Sequence, residues 1–132
     1  MDRNHRFITR AVSQAYLSEC RWRHGAVITK GSVVMATSPN VYRNSSDIDF
    51  MNATYHAEVA ALRELFRSQS WSYNATHDLS EFTIYVARID VRDRLVMSRP
   101  CEECWLTLDR YGINDVYYTN ELQGLSHEIL VR

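Results

Sequence analysis

The sequence predicts an α/β sandwich in which helices pack on a sheet. Three observations lead there. An apolar stripe of helical period opens the chain, two apolar β-branched segments follow across a tight turn, and two more helical patterns then alternate with single strands. The 132 residues suit one domain, 1–132, without internal repeat or linker. A chain of that length buries roughly two thirds of the surface its unfolded form exposes, enough for a core without disulfides.

Ile8, Ala11, Val12 and Ala15 recur at i, i+3, i+4 and i+7, so residues 5–19 read as an amphipathic helix lying on the sheet. Gly25 to Lys30 and Ser32 to Thr37 read as strands joined through Lys30, Gly31 and Ser32, a hairpin signal. From Ser38 to Asn52 the chain turns polar, with Pro39, Asn40, Asn44, Ser45 and Ser46, and no period survives. Irregular loops longer than about 12 residues inside compact domains are usually functional or disordered, which makes this one a candidate substrate-contacting segment. His56 to Arg67 returns to helix, with Val59, Leu62 and Phe66 on one side.

Residues 68–81 are turn-rich, and Phe82 to Arg88 then reads as a buried strand. A charged connector follows to Arg99. Cys101, Cys104, Trp105 and Leu108 keep helical spacing up to Gly112, a natural C-terminal stop, and Asp115 to Thr119 is the last clear strand. A fifth strand falls at Glu128 to Val131 or is missing, and its direction is open.

A formal charge of −1 argues against a strongly basic nucleic-acid-binding body, so any such contact must be local. The apolar runs, such as Ala26 to Ile28, fall far short of the roughly 20 residues of a membrane helix. Met1 to Arg10 is polar and lacks the apolar segment of a secretory signal, so a cytoplasmic location is expected. Of three cysteines, two stand three residues apart, which suits a metal in a reducing compartment. Cys20 stands alone and reads as a buried small apolar residue.

The chemistry concentrates in His56-Ala57-Glu58 and Pro100-Cys101-Glu102-Glu103-Cys104, each at the start of a helix. Cysteines three apart lie on one face of a helical turn, and Pro100 presets the turn that enters it. A helix amino terminus favours thiolate over thiol. Two cysteines and His56 leave zinc one position short of tetrahedral, the mark of a catalytic site, where a water loses its proton near neutral pH. Glu58 is then the group that takes that proton and delivers it onward. An i, i+2 pair diverges in mid-helix, but His56 precedes the first helical turn, so the two side chains can converge.

The paired pattern H-x-E and P-C-x-x-C is the signature of zinc nucleobase deaminases. With Arg23-His24-Gly25-Ala26-Val27-Ile28, Asn40, Gly112-Ile113 and Val116-Tyr117-Tyr118-Thr119 in the same order, the chain resembles the cytidine and deoxycytidylate deaminase superfamily over most of its length. The histidine at the first motif looks like the deoxycytidylate, cytosine and tRNA-adenosine branches. The resemblance implies a three-layer α-β-α sandwich on a mixed four- to five-stranded sheet and zinc as cofactor. It also implies that Asn40 hydrogen-bonds the nucleoside, that the backbone at Ala57 contacts the base, and that the chain forms homo-oligomers. After Thr119 only Asn120 to Arg132 remain, short of the helix-plus-strand ending common in the deoxycytidylate and tRNA branches. Arg99 also stands where relatives often carry a small residue.

Hydrolytic deamination of a free cytosine nucleotide or nucleoside, dCMP above all, is the leading expectation. The rivals are deamination of a base in single-stranded DNA or RNA, and a non-catalytic module whose zinc is structural and needs a fourth ligand such as Cys20 or His24. Arg43, Arg88, Arg92, Arg94 and Arg99 flank the proposed site, as a phosphate clamp or as solvated loop charge. Tyr42, Phe50 and Tyr55 read as rim or core packing with base stacking as the sharper option. Trp71 and Tyr73 are expected to cover a sheet edge or a subunit interface. Glu102 and Glu103 read as helix-start residues, and His5, His24, His77 and His127 as surface or capping histidines.

Overall fold

A computed structural model describes residues 2–42, 54–72, 78–122 and 124–129. Three helices, α1 (Arg3–Tyr16), α2 (Ala57–Ser68) and α3 (Glu102–Tyr111), pack on strands β1 (Arg23–Lys30), β2 (Val33–Pro39), β5 (Phe82–Ile89), β6 (Asp115–Thr119) and β7 (Leu125–Ile129). Among the described residues the two-residue strands β3 (Val41–Tyr42) and β4 (Thr54–Tyr55) pair with each other and not with the main sheet. The main sheet runs β2-β1-β5-β6-β7 and is mixed: β5 and β6 are parallel, and the other neighbours antiparallel.

Strand side chains alternate faces, and the burial along β1 obeys that rule. Val27 points toward α1, packing with Phe7, Ile8, Ala11, Tyr85 and Ala87, while Ala26 and Ile28 join Leu62, Leu65, Phe66 and Leu108 on the other face. Both faces of the central strands are therefore covered, and the sheet is the middle layer of a three-layer sandwich. The α1 helix approaches β1 so closely that a Cβ on Gly25 would lie 2.1 Å from the Ala11 carbonyl oxygen. Gly112 ends α3 in the left-handed conformation, φ 91°, a position glycine takes without steric penalty.

The helix expected over residues 5–19 starts earlier, at Arg3, because Asp2 caps its start by accepting from the His5 N–H at 2.8 Å, and it ends at Tyr16 with Leu17 as the C-cap. The fifth strand is present at Leu125–Ile129, beginning three residues before the expected Glu128, and runs antiparallel to β6; residues 130–131 of the expected strand lie outside the described residues. Glu128 fixes its register by accepting from Arg99 Nε and from the Tyr118 hydroxyl, both at 2.6 Å. Trp71 does not cover a sheet edge alone: its ring meets Phe66 edge-on at 5.7 Å and extends the core below α2. Tyr73 lies outside the described residues.

Candidate active site

Helices α2 and α3 both begin at the same end of the sheet, and both are capped by a residue of the predicted site. His56 is the N-cap of α2 and Cys101 that of α3, each in extended backbone, so their side chains project before the helix turns away. Cys104 sits one turn into α3 and is buried. The His56 Nδ1 lies 3.1 Å from Cys104 Sγ and 3.6 Å from Cys101 Sγ. All three ligand atoms fall within 4.8 Å of one another.

The segment carrying Cys101 is held by buried hydroxyls. The Ser98 Oγ donates to the Val86 carbonyl and accepts from the Thr119 N–H, each at 2.8 Å, and the Thr119 Oγ1 donates to the Val96 carbonyl at 2.8 Å. These bonds tie the approach to α3 across the ends of β5 and β6. The charged connector is itself a tight excursion, closed by an Ile89–Leu95 bridge and by Asp90, whose Oδ1 accepts from the Arg92 and Arg94 N–H groups.

Glu58, in the first turn of α2, is buried at 5% exposure. Desolvation pushes its carboxyl above the usual carboxylate range, with the His56 ring and the Cys104 thiol as opposing neighbours. Burial and the Glu58 charge in turn push the Cys104 thiol up. Crowded acidic groups of this kind suit a dication, which discharges them together. Tetrahedral zinc with bonds of about 2.0–2.3 Å sets neighbouring nitrogen and sulfur ligands roughly 3.5–3.8 Å apart. The His56–Cys101 separation of 3.6 Å falls in that range and the His56–Cys104 separation of 3.1 Å is shorter than it, so the donor set fits zinc by its chemistry and needs a small outward shift to hold the ion.

One cavity of about 470 Å³ joins these groups: His56, Glu58 and Cys101 line it together with Cys20, Arg21, Trp22, His24, Asn40, Tyr42, Arg88, Met97, Ser98 and Arg99. Asn40 is buried there, but its side chain mostly serves the protein. Oδ1 accepts from the His24 N–H at 2.9 Å and from Ser18 Oγ at 2.6 Å, and Nδ2 donates to the Trp22 carbonyl at 2.6 Å. Ala57 is fully buried, and its backbone lies between the two cavity-lining residues His56 and Glu58.

His24 is not a surface histidine. It lines the cavity half-buried, and desolvation together with the Arg88 charge lowers its pKa to about 4. Cys20 is buried as expected and also reaches the cavity wall. Tyr42 is exposed at the rim, and Arg63 lies over the half-buried Tyr55 ring at 4.5 Å. Arg43, Phe50 and His77 lie outside the described residues. The lining residues Arg21 and Trp22 carry no motif; their segment is held at the site by long-range contacts, among them the bond from Asn40 to the Trp22 carbonyl and the Arg88 guanidinium over the Trp22 ring.

A mixed sheet with helices on both faces, carrying a His-Cys-Cys cluster beside a buried glutamate, defines a zinc-dependent hydrolytic deaminase. The chain belongs to the family described as the cytidine and deoxycytidylate deaminase zinc-binding region, whose model matches residues 1–120. Among proteins of curated function none matches its sequence. Similar solved structures include the dCMP deaminase of cyanophage S-TIM5, with TM-score 0.65 and 19% identity over 89% of this chain and 82% of that one. The cytidine deaminase of Burkholderia pseudomallei gives TM-score 0.68 and 18% identity over 95% and 91%. A structure from a study of A-to-I editing by tRNA:A34 deaminases gives TM-score 0.61 and 20% identity over 90% and 78%. Identities this low carry the fold.

Proposed function

We propose that the chain hydrolyses the C4 amine of a cytosine nucleotide, with dCMP the preferred substrate, giving the uracil nucleotide and ammonia. The observation that carries this reading is the shared cavity in which His56, Glu58 and Cys101 meet the cationic side chains Arg21 and Arg88. Its volume of about 470 Å³ lies in the range of small-ligand sites, roughly 300–1,000 Å³. Likeness to the cyanophage dCMP deaminase supports the cytosine nucleotide.

His56, Cys101 and Cys104 hold zinc in this reading. When bound, zinc supplies the positive charge that lets a water lose its proton near neutral pH. Glu58 takes that proton and passes it to N3 as the water oxygen bonds to C4; it then takes the remaining proton of the new C4 hydroxyl and gives it to the amine, so that the C4–N bond breaks, ammonia leaves and C4 becomes a carbonyl. Its burial suits the task, because a carboxyl whose pKa is raised by desolvation accepts a proton more readily than an exposed one. Asn40 and the backbone at Ala57 are the proposed contacts to sugar and base. A fourth protein ligand is missing from the cluster among the described residues, as an open catalytic site requires.

A second reading, deamination within a single strand, draws on the half-exposed Trp22 and exposed Tyr42 at the cavity wall, aromatic faces on which a neighbouring base stacks. Ammonia release separates the two. The zinc-loaded protein is expected to release ammonia from dCMP and little from short oligonucleotides. Release from oligonucleotides alone contradicts the free-nucleotide reading, and silence on every cytosine, adenine and guanine substrate contradicts the catalytic one.

A further inference from the structure

The arginines around the site separate once their partners are known. Arg94 Nε lies 3.1 Å from an Asp90 carboxylate oxygen, and Arg99 Nε 2.6 Å from Glu128. Arg92 is exposed on the tip of the excursion. Arg88 differs from all of these. It lines the cavity, its Nε is shut off from solvent, and that Nε has no hydrogen-bond acceptor among the described residues. No carboxylate among the described residues forms an ion pair with it. Its guanidinium lies over the Trp22 ring, 5.3 Å from the centroid, with Arg21 at 5.2 Å from the same ring.

A buried charged donor without an acceptor is unfavourable unless something else completes it. The Trp22 face fixes the position of the group by a cation–π contact but takes none of its hydrogen bonds. The charge is also felt inside the cavity, since it helps hold the His24 ring neutral. A planar guanidinium that is held over an aromatic ring, has no ion-pair partner among the described residues and lines a ligand cavity fits the two oxygens of a phosphate. We propose that Arg88 is the specificity-determining residue of this enzyme and binds a phosphate carried on the sugar of the substrate. The proposal rests on the reading of the substrate as a cytosine nucleotide. The phosphate is either the monoester of a free nucleotide or a diester in a strand.

Calorimetric titration of the zinc-loaded protein with deoxyuridine, dUMP and a trideoxynucleotide carrying a central deoxyuridine tests it without turnover. The wild type is expected to bind dUMP roughly 10- to 100-fold more tightly than deoxyuridine, as a charge-assisted contact predicts. In Arg88→Gln that ratio falls to within about threefold, and Arg88→Lys retains part of it because the point charge survives. Arg94→Gln, already paired with Asp90, serves as the control and keeps the wild-type ratio. Tighter binding of the trinucleotide than of dUMP, lost in the same variants, supports the contact and assigns the phosphate to a strand. An unchanged ratio in both Arg88 variants, or equal binding of dUMP and deoxyuridine by a wild type that deaminates deoxycytidine, overturns the role of Arg88 alone. Binding of none of the three ligands, together with no ammonia from cytosine substrates, overturns both.

Discussion

Asn40 directs its buried amide mainly at the chain before β1, bracing the backbone of Trp22 and His24 against the cavity. Asn40→Ala leaves the His24 N–H and the Trp22 carbonyl without these partners, and it should cost about 1–3 kcal/mol in a urea titration. An unchanged midpoint contradicts the bracing role. His24 beside it resists protonation: its pKa is about 4 in the folded protein against 6.5 for the free group. A depressed histidine pKa means that the unfolded chain takes up the proton first. Stability is therefore full above about pH 6.5 and falls as pH drops toward 4. His24→Gln should flatten that part of the stability profile, and an unaltered slope contradicts the assignment. At this scale the sequence singles out His56, Glu58, Cys101 and Cys104, which the structure brings together, because fixed spacing at helix starts signals them. It misplaces His24, whose burial depends on Asn40 and Arg88, residues with no local pattern linking them to it.

At the scale of elements, the closest fit in the molecule is α1 against β1. A Cβ at position 25 would lie 2.1 Å from the Ala11 carbonyl oxygen and 2.4 Å from the Ala15 nitrogen, both backbone atoms in a helix that cannot yield locally. Gly25→Ala should therefore destabilise by about 3 kcal/mol or more, read as a large loss of thermal midpoint or of soluble protein. A wild-type midpoint would mean that α1 does not sit where described. The amphipathic stripe of α1, the hairpin of β1 and β2, and the apolar runs of β5 and β6 are legible because each repeats one period over several residues. β3 and β4 are two residues each and too short for a period to register. β7 is half-polar, with Ser126, His127 and Glu128 in its middle, and its place is set by partners on β6 and by Arg99.

At the scale of the whole molecule, the site joins two helices that have little other contact. α2 packs mainly on β1 and β2 and only slightly on α3, while His56 belongs to the start of one helix and the cysteines to the start of the other. In the proposed reading zinc ties them, so its removal with a chelator should lower the thermal midpoint by about 5–15 °C, recovered on adding zinc back. No shift would contradict a metal bridging the two helices. The sandwich is legible from the order of its elements, whereas the site cavity is not, because Cys20 to Trp22, His24, Asn40, Arg88 and Met97 to Arg99 are far apart in sequence and meet there through the fold. The central claim is that Glu58 moves the protons while His56, Cys101 and Cys104 hold the zinc. Its most direct test is the zinc content and dCMP turnover of Glu58→Gln beside the wild type. The account predicts one zinc per chain in both and a turnover lower by about 10²–10⁴-fold in the variant. A zinc-replete variant that deaminates dCMP at the wild-type rate would contradict it.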